Sequence, residues 1–227
     1  MHSHWSSFFH PSRLEASSIF QSLEETKKFF SGYTLDIGCG ERPYHHLAQE
    51  AYSHYIGVDM NISQTPPPDV CADALQLPFK DDTFDTVLCS QVIEHVEDPF
   101  RMVGEAARVL KPGGHLILTA PQVWPLHEEP RDFFRYTKYG LALIARKSDL
   151  TTLYIRERGG ALLALGQLLV AVVYDKVKGK KSFRIPLKPL FAAVLALCRV
   201  LDKYIFLPKL TLGYVMVARK KHGSTEK

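Results

Sequence analysis

Glycines and carboxylates near the start of the chain are spaced as in a nucleotide-binding site. The turn Gly38-Cys39-Gly40 follows an apolar run that contains Asp36, and a second apolar run ends at Asp59. Glycines let a backbone turn sharply and approach a ligand closely. An acid at the tip of the second strand can accept hydrogen bonds from both hydroxyls of a ribose. The spacing therefore predicts a β-α-β unit that binds a small molecule containing adenosine.

A polar and aromatic segment that begins at His127, with the sequence HEEPRDFFRYT, is the second place where side chains can do chemistry. His127 is the best candidate for a general base, because the unperturbed imidazole pKa lies near neutrality. Arg131 and Arg135 are candidates for binding an anionic acceptor, and Tyr136 is a third acceptor-binding candidate. The alternative is a purely structural network in which Asp132 pairs with one of the two arginines.

Glu94 and His95 lie between these regions, just after the predicted fourth strand. Ligands of parallel sheets bind at the carboxyl ends of the strands, so both residues are further catalytic candidates. The alternative is a pair at a helix start that local hydrogen bonds hold in place. One neighbouring Glu-His pair, even with His127 as a third ligand, is weak support for a metal ion, and we expect no metal.

Strands and helices alternate along the sequence. This alternation predicts an α/β fold with a doubly wound, Rossmann-like, mostly parallel sheet of about seven strands and helices on both faces. Ligands of such sheets bind at the carboxyl ends of the strands. The helix before the fifth strand should stop at the Lys-Pro-Gly-Gly sequence 111–114. The predicted strands are 34–37, 55–58, 70–72, 84–89, 115–120, 151–157 and 212–218, and the predicted helices are 12–31, 45–51, 99–110, 161–174 and 187–207.

Composition sets broad limits on the class of protein. With 227 residues, 46% of them hydrophobic, the chain can bury a full core. A net charge of +4 with 23% charged residues is too balanced to indicate nucleic acid as a partner. The four cysteines are widely spaced, which favours buried reduced thiols and a cytoplasmic protein. We find no signal-peptide pattern and no apolar run long enough to span a membrane.

Four segments in order resemble the motifs of class I S-adenosylmethionine-dependent methyltransferases, in the broad subgroup that methylates small molecules. The resemblance covers about Thr34 to Pro121, roughly half of the chain. A single glycine-rich turn would be weak support, but four motifs in register are specific. They are LDIGCG at 35–40, GVD at 57–59, CADALQLPF at 71–79, and the run from FDTV at 84–87 through IEHV at 93–96 to VLKPGG at 109–114.

The resemblance implies S-adenosylmethionine as cofactor and transfer of its methyl group to a small-molecule acceptor, most often at oxygen and less often at nitrogen or carbon. Similar loops after the fifth strand occur in methyltransferases encoded near polysaccharide genes, which suggests a sugar or lipid-linked sugar. By the same resemblance, the cofactor-binding residues are Asp36, Gly38, Gly40, Asp59, Met60, Asp73, Ala74 and Ser90.

Two other functions remain as alternatives. A nicotinamide-dependent oxidoreductase has a similar sheet, but it needs a third glycine to admit a diphosphate. Pro43 stands at that position here, and S-adenosylmethionine has no diphosphate. The other alternative is a catalytically silent relative that binds the cofactor only to fold or to hold a partner.

We expect one methyltransferase domain with an apolar helical insertion. In the structural interpretation, the insertion packs on the sheet or on itself, or forms a homodimer interface. In the membrane-binding interpretation, it lies on a membrane surface, with Lys176, Lys178, Lys180, Lys181 and Arg184 facing anionic headgroups. The predicted parts are an N-terminal helix at 1–31, a cofactor-binding core at 32–121, an acceptor loop region at 122–150, the insertion at 158–210 and a tail at 219–227.

Overall fold

The protein forms a seven-stranded sheet flanked by helices in a computed structural model that describes residues 13–50, 54–177 and 179–222. The parts of the predicted N-terminal helix and tail at 1–12 and 223–227 lie outside the described residues. The strands are β1 Tyr33–Ile37, β2 His54–Asp59, β3 Val70–Cys71, β4 Phe84–Ser90, β5 Leu110–Pro121, β6 Leu150–Glu157 and β7 Gly213–Lys220. The helices are α1 Arg13–Glu24, α2 His45–Glu50, α3 Pro99–Val109, α4 Lys138–Lys147, α5 Ala161–Val177 and α6 Lys181–Tyr204.

The strand order β3-β2-β1-β4-β5-β7-β6 places β1 between β2 and β4. There β1 pairs in parallel with both β2 and β4, β2 pairs in parallel with β3, and β4 pairs in parallel with β5. The register aligns Ile37 with Val58 on one side and with Cys89 on the other. The residues that follow these strands therefore lie along one edge, and the predicted Rossmann-like α/β fold is confirmed.

The core lies where β1, β4 and β5 pack against α3. Leu35, Phe84, Val87 and Leu116 are fully buried in one hydrophobic cluster. The apolar face of α3 contributes Met102, among others, to the same cluster. Asp98 caps this helix by accepting a hydrogen bond from the backbone of its first turn. A rigid central sheet therefore supports the loops at the carboxyl ends of its strands.

Helix α3 ends just before the Lys-Pro-Gly-Gly sequence, as predicted, but β5 already begins at Leu110 and includes that sequence, earlier than the predicted start at 115. The pairing of β4 with β5 shifts between Phe84 and Thr86, so the extra residues of β5 form an irregular segment. Gly113 has a φ of +83°, and a Cβ at Gly114 would lie 2.9 Å from the carbonyl oxygen of Asp85. Gly113 is needed for its positive φ, and Gly114 is needed because a side chain would collide with the backbone of β4.

Helix α4 was not predicted, because it lies within the region interpreted as a polar loop. Thr137 caps its first turn by accepting a hydrogen bond from the backbone N–H of Gly140 at 3.1 Å. Leu141, Ile144 and Ala145 bury one face of the helix in the main core. A short helix with glycine and tyrosine in its first turn carries a weak local signal, and its burial stabilises it.

The chain divides into two compact units. One comprises Leu23–Pro121, Leu126–Arg156 and Tyr214–Lys227, and it contains every candidate catalytic, cofactor-binding and acceptor-binding residue named above. The other comprises Met1–Ser22, Gln122–Pro125 and Glu157–Gly213, and it contains α5 and α6.

Helices α5 and α6 pack closely against each other. A Cβ at Gly166 would lie 2.5 Å from Cys198 Sγ, so glycine permits the close approach. Val170, Phe191 and Leu195 form a buried cluster between the two helices. Among the described residues, no helix combines the length and the apolar character needed to cross a membrane. The outer faces nevertheless expose the apolar side chains Leu165, Leu169, Val172, Ile185, Leu190, Leu197, Val200, Leu201 and Tyr204.

Candidate active site

The glycine-rich turn after β1 is held by its neighbour β2. The backbone N–H groups of Gly38 and Cys39 both donate to the carbonyl oxygen of Val58, at 2.8 and 3.0 Å. Gly38 and Gly40 have φ values of +68° and +52°, which L-residues rarely adopt. A Cβ at Gly38 would collide with the side chain of Val92. Gly38 is therefore needed for packing as well as for the turn.

Gly40 is placed differently from Gly38. The nearest atom to a Cβ built on Gly40 is Gln64 Oε1, at 3.6 Å. The backbone N–H of Gly40 donates to Asp59 Oδ2 at 3.1 Å, and Asn61 N–H donates to the other oxygen, Oδ1, at 2.8 Å. Gln64 Nε2 also donates to Oδ2, at 3.4 Å. These bonds orient the carboxylate at the tip of β2, and Oδ1 keeps a second lone pair. The arrangement suits an acid that accepts hydrogen bonds from ribose hydroxyls.

Asp36 is buried within the sheet. The hydroxyl of Tyr55 donates to Asp36 Oδ2 at 2.6 Å, and burial raises the pKa of Asp36 to about 7. The side chain is only 2% exposed, so its closest polar partner is another core residue. Its direct contact with the cofactor stays a prediction.

The remaining predicted cofactor residues follow β2, β3 and β4. Met60 is exposed, Ala74 is buried, and Ser90 Oγ lies 2.9 Å from Thr119 Oγ1. Asp73 Oδ1 accepts a hydrogen bond from Leu75 N–H at 2.8 Å, which makes this acid a turn cap. The structure places these residues along the carboxyl edge of the sheet, and their contacts with the cofactor stay predictions.

The three catalytic candidates lie together. Glu94 and His95 belong to a short 3-10 helix, Ile93–His95, that follows β4, and the side chain of Glu94 is completely buried. Glu94 Oε1 lies 3.9 Å from His95 Nε2. The rings of His95 and His127 are in edge-to-face contact, with centroids 4.7 Å apart. One potential ligand atom from each residue lies within 4.8 Å of those of the other two.

Asp132 organises the loop that carries His127. Its carboxylate forms a two-pronged ion pair with Arg135, at 2.6 and 2.7 Å, and Oδ2 lies 3.2 Å from His127 Nδ1. The guanidinium of Arg135 holds the pKa of Asp132 well below its usual range. Burial lowers the pKa of His127, and the nearby Asp132 carboxylate opposes that shift. Arg135 thus takes part in the network that the sequence offered as the structural alternative, and its acceptor contact stays a prediction.

Backbone and side-chain hydrogen bonds fasten this loop to the 3-10 helix. The N–H of Phe133 donates to Glu94 O at 2.9 Å, and the buried Tyr136 hydroxyl donates to Ile93 O at 2.8 Å. His95 Nδ1 lies 2.6 Å from the carbonyl oxygen of Arg131, whose side chain is exposed. Tyr136 therefore supports the site from inside the core. No local sequence signal indicated these contacts, or those of Val92 and Tyr55.

A cavity of about 310 Å³ lies near Asp85, Lys111 and His115. Asp85 and Lys111 form an ion pair across it, at 2.8 Å. His115 pairs with Thr86 near the beginning of β4, whereas the catalytic candidates follow the end of that strand. We place the active site at the carboxyl edge because the glycine turn, Asp59 and the Glu94 cluster all occur there.

Comparison with known proteins identifies the family of the central part of the chain. Residues 35–118 match the methyltransferase domain family. An uncharacterised protein of Methanocaldococcus jannaschii is 36% identical over 107 residues, which are 46% of each chain. The Mus musculus protein named "Probable tRNA methyltransferase 9B" is 34% identical over 122 residues, 50% of this chain and 26% of that one. The chain therefore spans less than half the length of these relatives.

Solved structures show the same fold. A SAM-dependent methyltransferase from Archaeoglobus fulgidus has a TM-score of 0.60 at 17% identity, over 91% of this chain and 94% of that one. Phosphoethanolamine N-methyltransferase 2 from Haemonchus contortus, in complex with S-adenosyl-L-methionine, has a TM-score of 0.56 at 18% identity, over 96% and 59%. The family match over residues 35–118 favours a methyltransferase over a nicotinamide-dependent oxidoreductase. Residues 35–118 are therefore identified as a methyltransferase domain, and the solved structures show the same fold.

Proposed function

We propose that the protein transfers the methyl group of S-adenosylmethionine to an oxygen atom of a small-molecule acceptor. The observation that carries the proposal is the position of two groups along one sheet edge. The glycine turn with Asp59 follows β1 and β2, and the Glu94–His95–His127 cluster follows β4 and β5. An adenosine-binding acid and a polar reaction centre are what such a transfer requires.

The division of labour follows from the chemistry. The sulfonium of the cofactor already activates the methyl group, so the cofactor supplies the difficult part of the reaction. The protein has to align an acceptor oxygen behind that methyl group and remove a proton if the oxygen is a hydroxyl. His127 is the first candidate for that task, with Glu94 and His95 next.

The acceptor loop supports a sugar or lipid-linked sugar as acceptor. Arg131 is exposed beside the cluster, and a guanidinium can bind a phosphate or carboxylate through two parallel hydrogen bonds. Arg135 could exchange Asp132 for such an anion only at a cost, because its ion pair would have to break. Arg131 is therefore the better candidate of the two.

The exposed outer faces of α5 and α6 favour a membrane surface as the place where the acceptor is found. Leu165, Leu169 and Val172 recur at helical spacing on α5, and Lys176 and Lys180 follow at its end. An apolar stripe next to basic residues is typical of helices that lie on anionic lipid. A homodimer that covers the same stripe is the competing explanation.

A screen for S-adenosylhomocysteine release tests the proposed reaction. The purified protein is incubated with S-adenosylmethionine and with separate pools of sugars, lipid-linked sugars, small amines and transfer RNA. Release with an oxygen acceptor supports the proposal. Release only with transfer RNA would replace the small-molecule acceptor. Binding of the cofactor without release in any pool would favour the silent relative.

A further inference from the structure

We propose that Glu94, His95 and His127 bind a divalent transition-metal ion. The three residues supply one carboxylate and two imidazoles, and one candidate ligand atom from each lies within 4.8 Å of the others. A set of two histidines and one carboxylate is a common arrangement for zinc and for related ions. No metal was expected from the sequence, because neighbours in the chain say little about which ring atoms meet in space.

The surroundings of the two histidines resemble those of metal ligands. A ligating histidine usually holds its other ring nitrogen against a carbonyl or carboxylate, which fixes the tautomer. Here His95 Nδ1 lies 2.6 Å from the carbonyl oxygen of Arg131, and His127 Nδ1 lies 3.2 Å from Asp132 Oδ2. A carbonyl oxygen only accepts hydrogen bonds, so the contact of His95 places a proton on Nδ1 and leaves the Nε2 lone pair of that ring for a metal. The Asp132 carboxylate can orient the ring of His127 in a similar way. His95 Nε2 also faces Glu94 Oε1.

Rigid support is the second feature of the cluster. The side chain of Glu94 is completely buried, and that of His95 is 14% exposed. The N–H of Phe133 and the hydroxyl of Tyr136 fasten the loop to the 3-10 helix. Burying a carboxylate costs free energy unless a cation pairs with it, so a buried Glu94 carboxylate suits a metal ligand. Imidazole ligands favour transition metals over Mg²⁺ and Ca²⁺, which prefer oxygen.

The role of the ion in the reaction rests on the proposed function, whereas its binding does not. A bound ion would supply Lewis-acid chemistry here: it would lower the pKa of an acceptor hydroxyl beside it, and water would take the proton. The acceptor oxygen then forms a bond to the methyl group as the sulfonium–methyl bond breaks, and S-adenosylhomocysteine leaves. With the ion bound, His127 would hold it instead of serving as the general base named under the proposed function. The metal site would replace that one role and leave the proposed methyl transfer unchanged.

Titration with Co²⁺ tests the site directly, in protein that lacks a polyhistidine tag. We expect the wild type to bind one Co²⁺ per chain with visible d–d absorption, and Zn²⁺ to displace it. His95→Gln, His127→Gln and Glu94→Gln should each weaken binding at least tenfold. His54→Gln is the matched control, because His54 lies at the start of β2, away from the cluster, and it should bind Co²⁺ like the wild type.

Two further measurements keep the test decisive. Asp132→Asn leaves all three ligands in place, and it should weaken Co²⁺ binding roughly tenfold through the orientation of His127. If the wild type binds no more Co²⁺ than the His95→Gln/His127→Gln double variant, the proposal is wrong. S-adenosylmethionine binding is measured by calorimetry on the same samples, because cofactor binding without Co²⁺ binding overturns the metal site and leaves the methyltransferase proposal standing.

Discussion

The imidazole rings of His95 and His127 lie edge to face, with centroids 4.7 Å apart and ring planes at 76°. One ring belongs to the 3-10 helix after β4 and the other to the loop after β5. Asp132 and Arg131 O each hold one of the rings by its Nδ1 atom. The candidate catalytic cluster is thus assembled from a 3-10 helix and a loop, and its geometry depends on the hydrogen bonds that join them.

His127→Ala should lower turnover by roughly a hundredfold or more and leave S-adenosylmethionine affinity nearly unchanged. His127 follows β5, whereas the predicted cofactor-binding acids Asp36 and Asp59 lie in β1 and β2. Turnover is followed by S-adenosylhomocysteine release and affinity by calorimetry, with His54→Ala as the control. A turnover within a factor of three of the wild type would make the loop structural and direct attention to Glu94 and His95.

Asp59→Ala should weaken S-adenosylmethionine binding by about tenfold to a few hundredfold, since each charge-assisted hydrogen bond to a ribose hydroxyl is worth roughly 1.5–3 kcal/mol. Part of the lost affinity will come from the glycine turn, because the backbone N–H of Gly40 loses its hydrogen bond to the same carboxylate. Calorimetric titration measures the affinity, and Glu97→Gln on the exposed surface serves as control. Wild-type affinity in the Asp59 variant would remove this acid from the site.

Gly38→Val should destabilise the fold by roughly 2 kcal/mol or more, because the residue has a positive φ and its Cβ would collide with Val92. Gly104→Ala in α3 is the matched control. A Cβ at Gly104 meets no atom within 4 Å, so alanine there should stabilise the helix by roughly 0.5–1 kcal/mol. Urea unfolding of both variants checks the contrast. Equal stability of the Gly38 variant and the wild type would contradict the packing role.

The free energy of unfolding should depend on pH through Asp36. Its pKa is about 7 in the native state, against 3.8 for an unperturbed aspartate side chain, so the native state binds the extra proton between these values. Wild-type stability is therefore lost as pH rises from about 4 to 7. Asn at this position does not titrate. As pH rises over that window, the free energy of unfolding of Asp36→Asn should therefore increase relative to that of the wild type, by at most about 4 kcal/mol.

Urea unfolding at several pH values between 4 and 8 measures this gain. The contributions of other titrating groups to stability cancel when the variant and the wild type are compared at each pH. Tyr55→Phe removes the hydrogen bond that lowers the pKa of Asp36, so the loss of stability should extend to a higher pH. A difference between Asp36→Asn and wild type that does not change with pH would show that Asp36 is ionised throughout.

The motif residues could be predicted because their signals are local. An apolar run, glycines and an acid at the end of the next run identified β1, β2 and the turn between them. The contact of Gly38 with Val92 and the pairing of His95 with His127 join distant segments, and only the register of the sheet and the closure of a loop bring them together. The sequence did not predict helix α4 for a similar reason, because burial of one face in the core stabilises this helix and its local signal is weak.

The exposed face of α5 and α6 should bind anionic vesicles. Leu165, Leu169 and Leu197 are more than half exposed, and burying such side chains in the lipid interface is favourable. Basic residues near an anionic surface add about 1 kcal/mol each. Co-sedimentation at low salt should therefore show binding to vesicles with anionic lipid and none to neutral vesicles.

Two variants separate the apolar from the electrostatic contribution. Replacing Lys176, Lys178, Lys180, Lys181 and Arg184 by Gln should abolish binding to anionic vesicles, and Leu165→Ser/Leu169→Ser should weaken it with the charge unchanged. Light scattering on the same samples reports the oligomeric state. A wild type that stays in the supernatant at low salt and forms a dimer, which the two serines dissociate, would assign this face to a second copy of the chain.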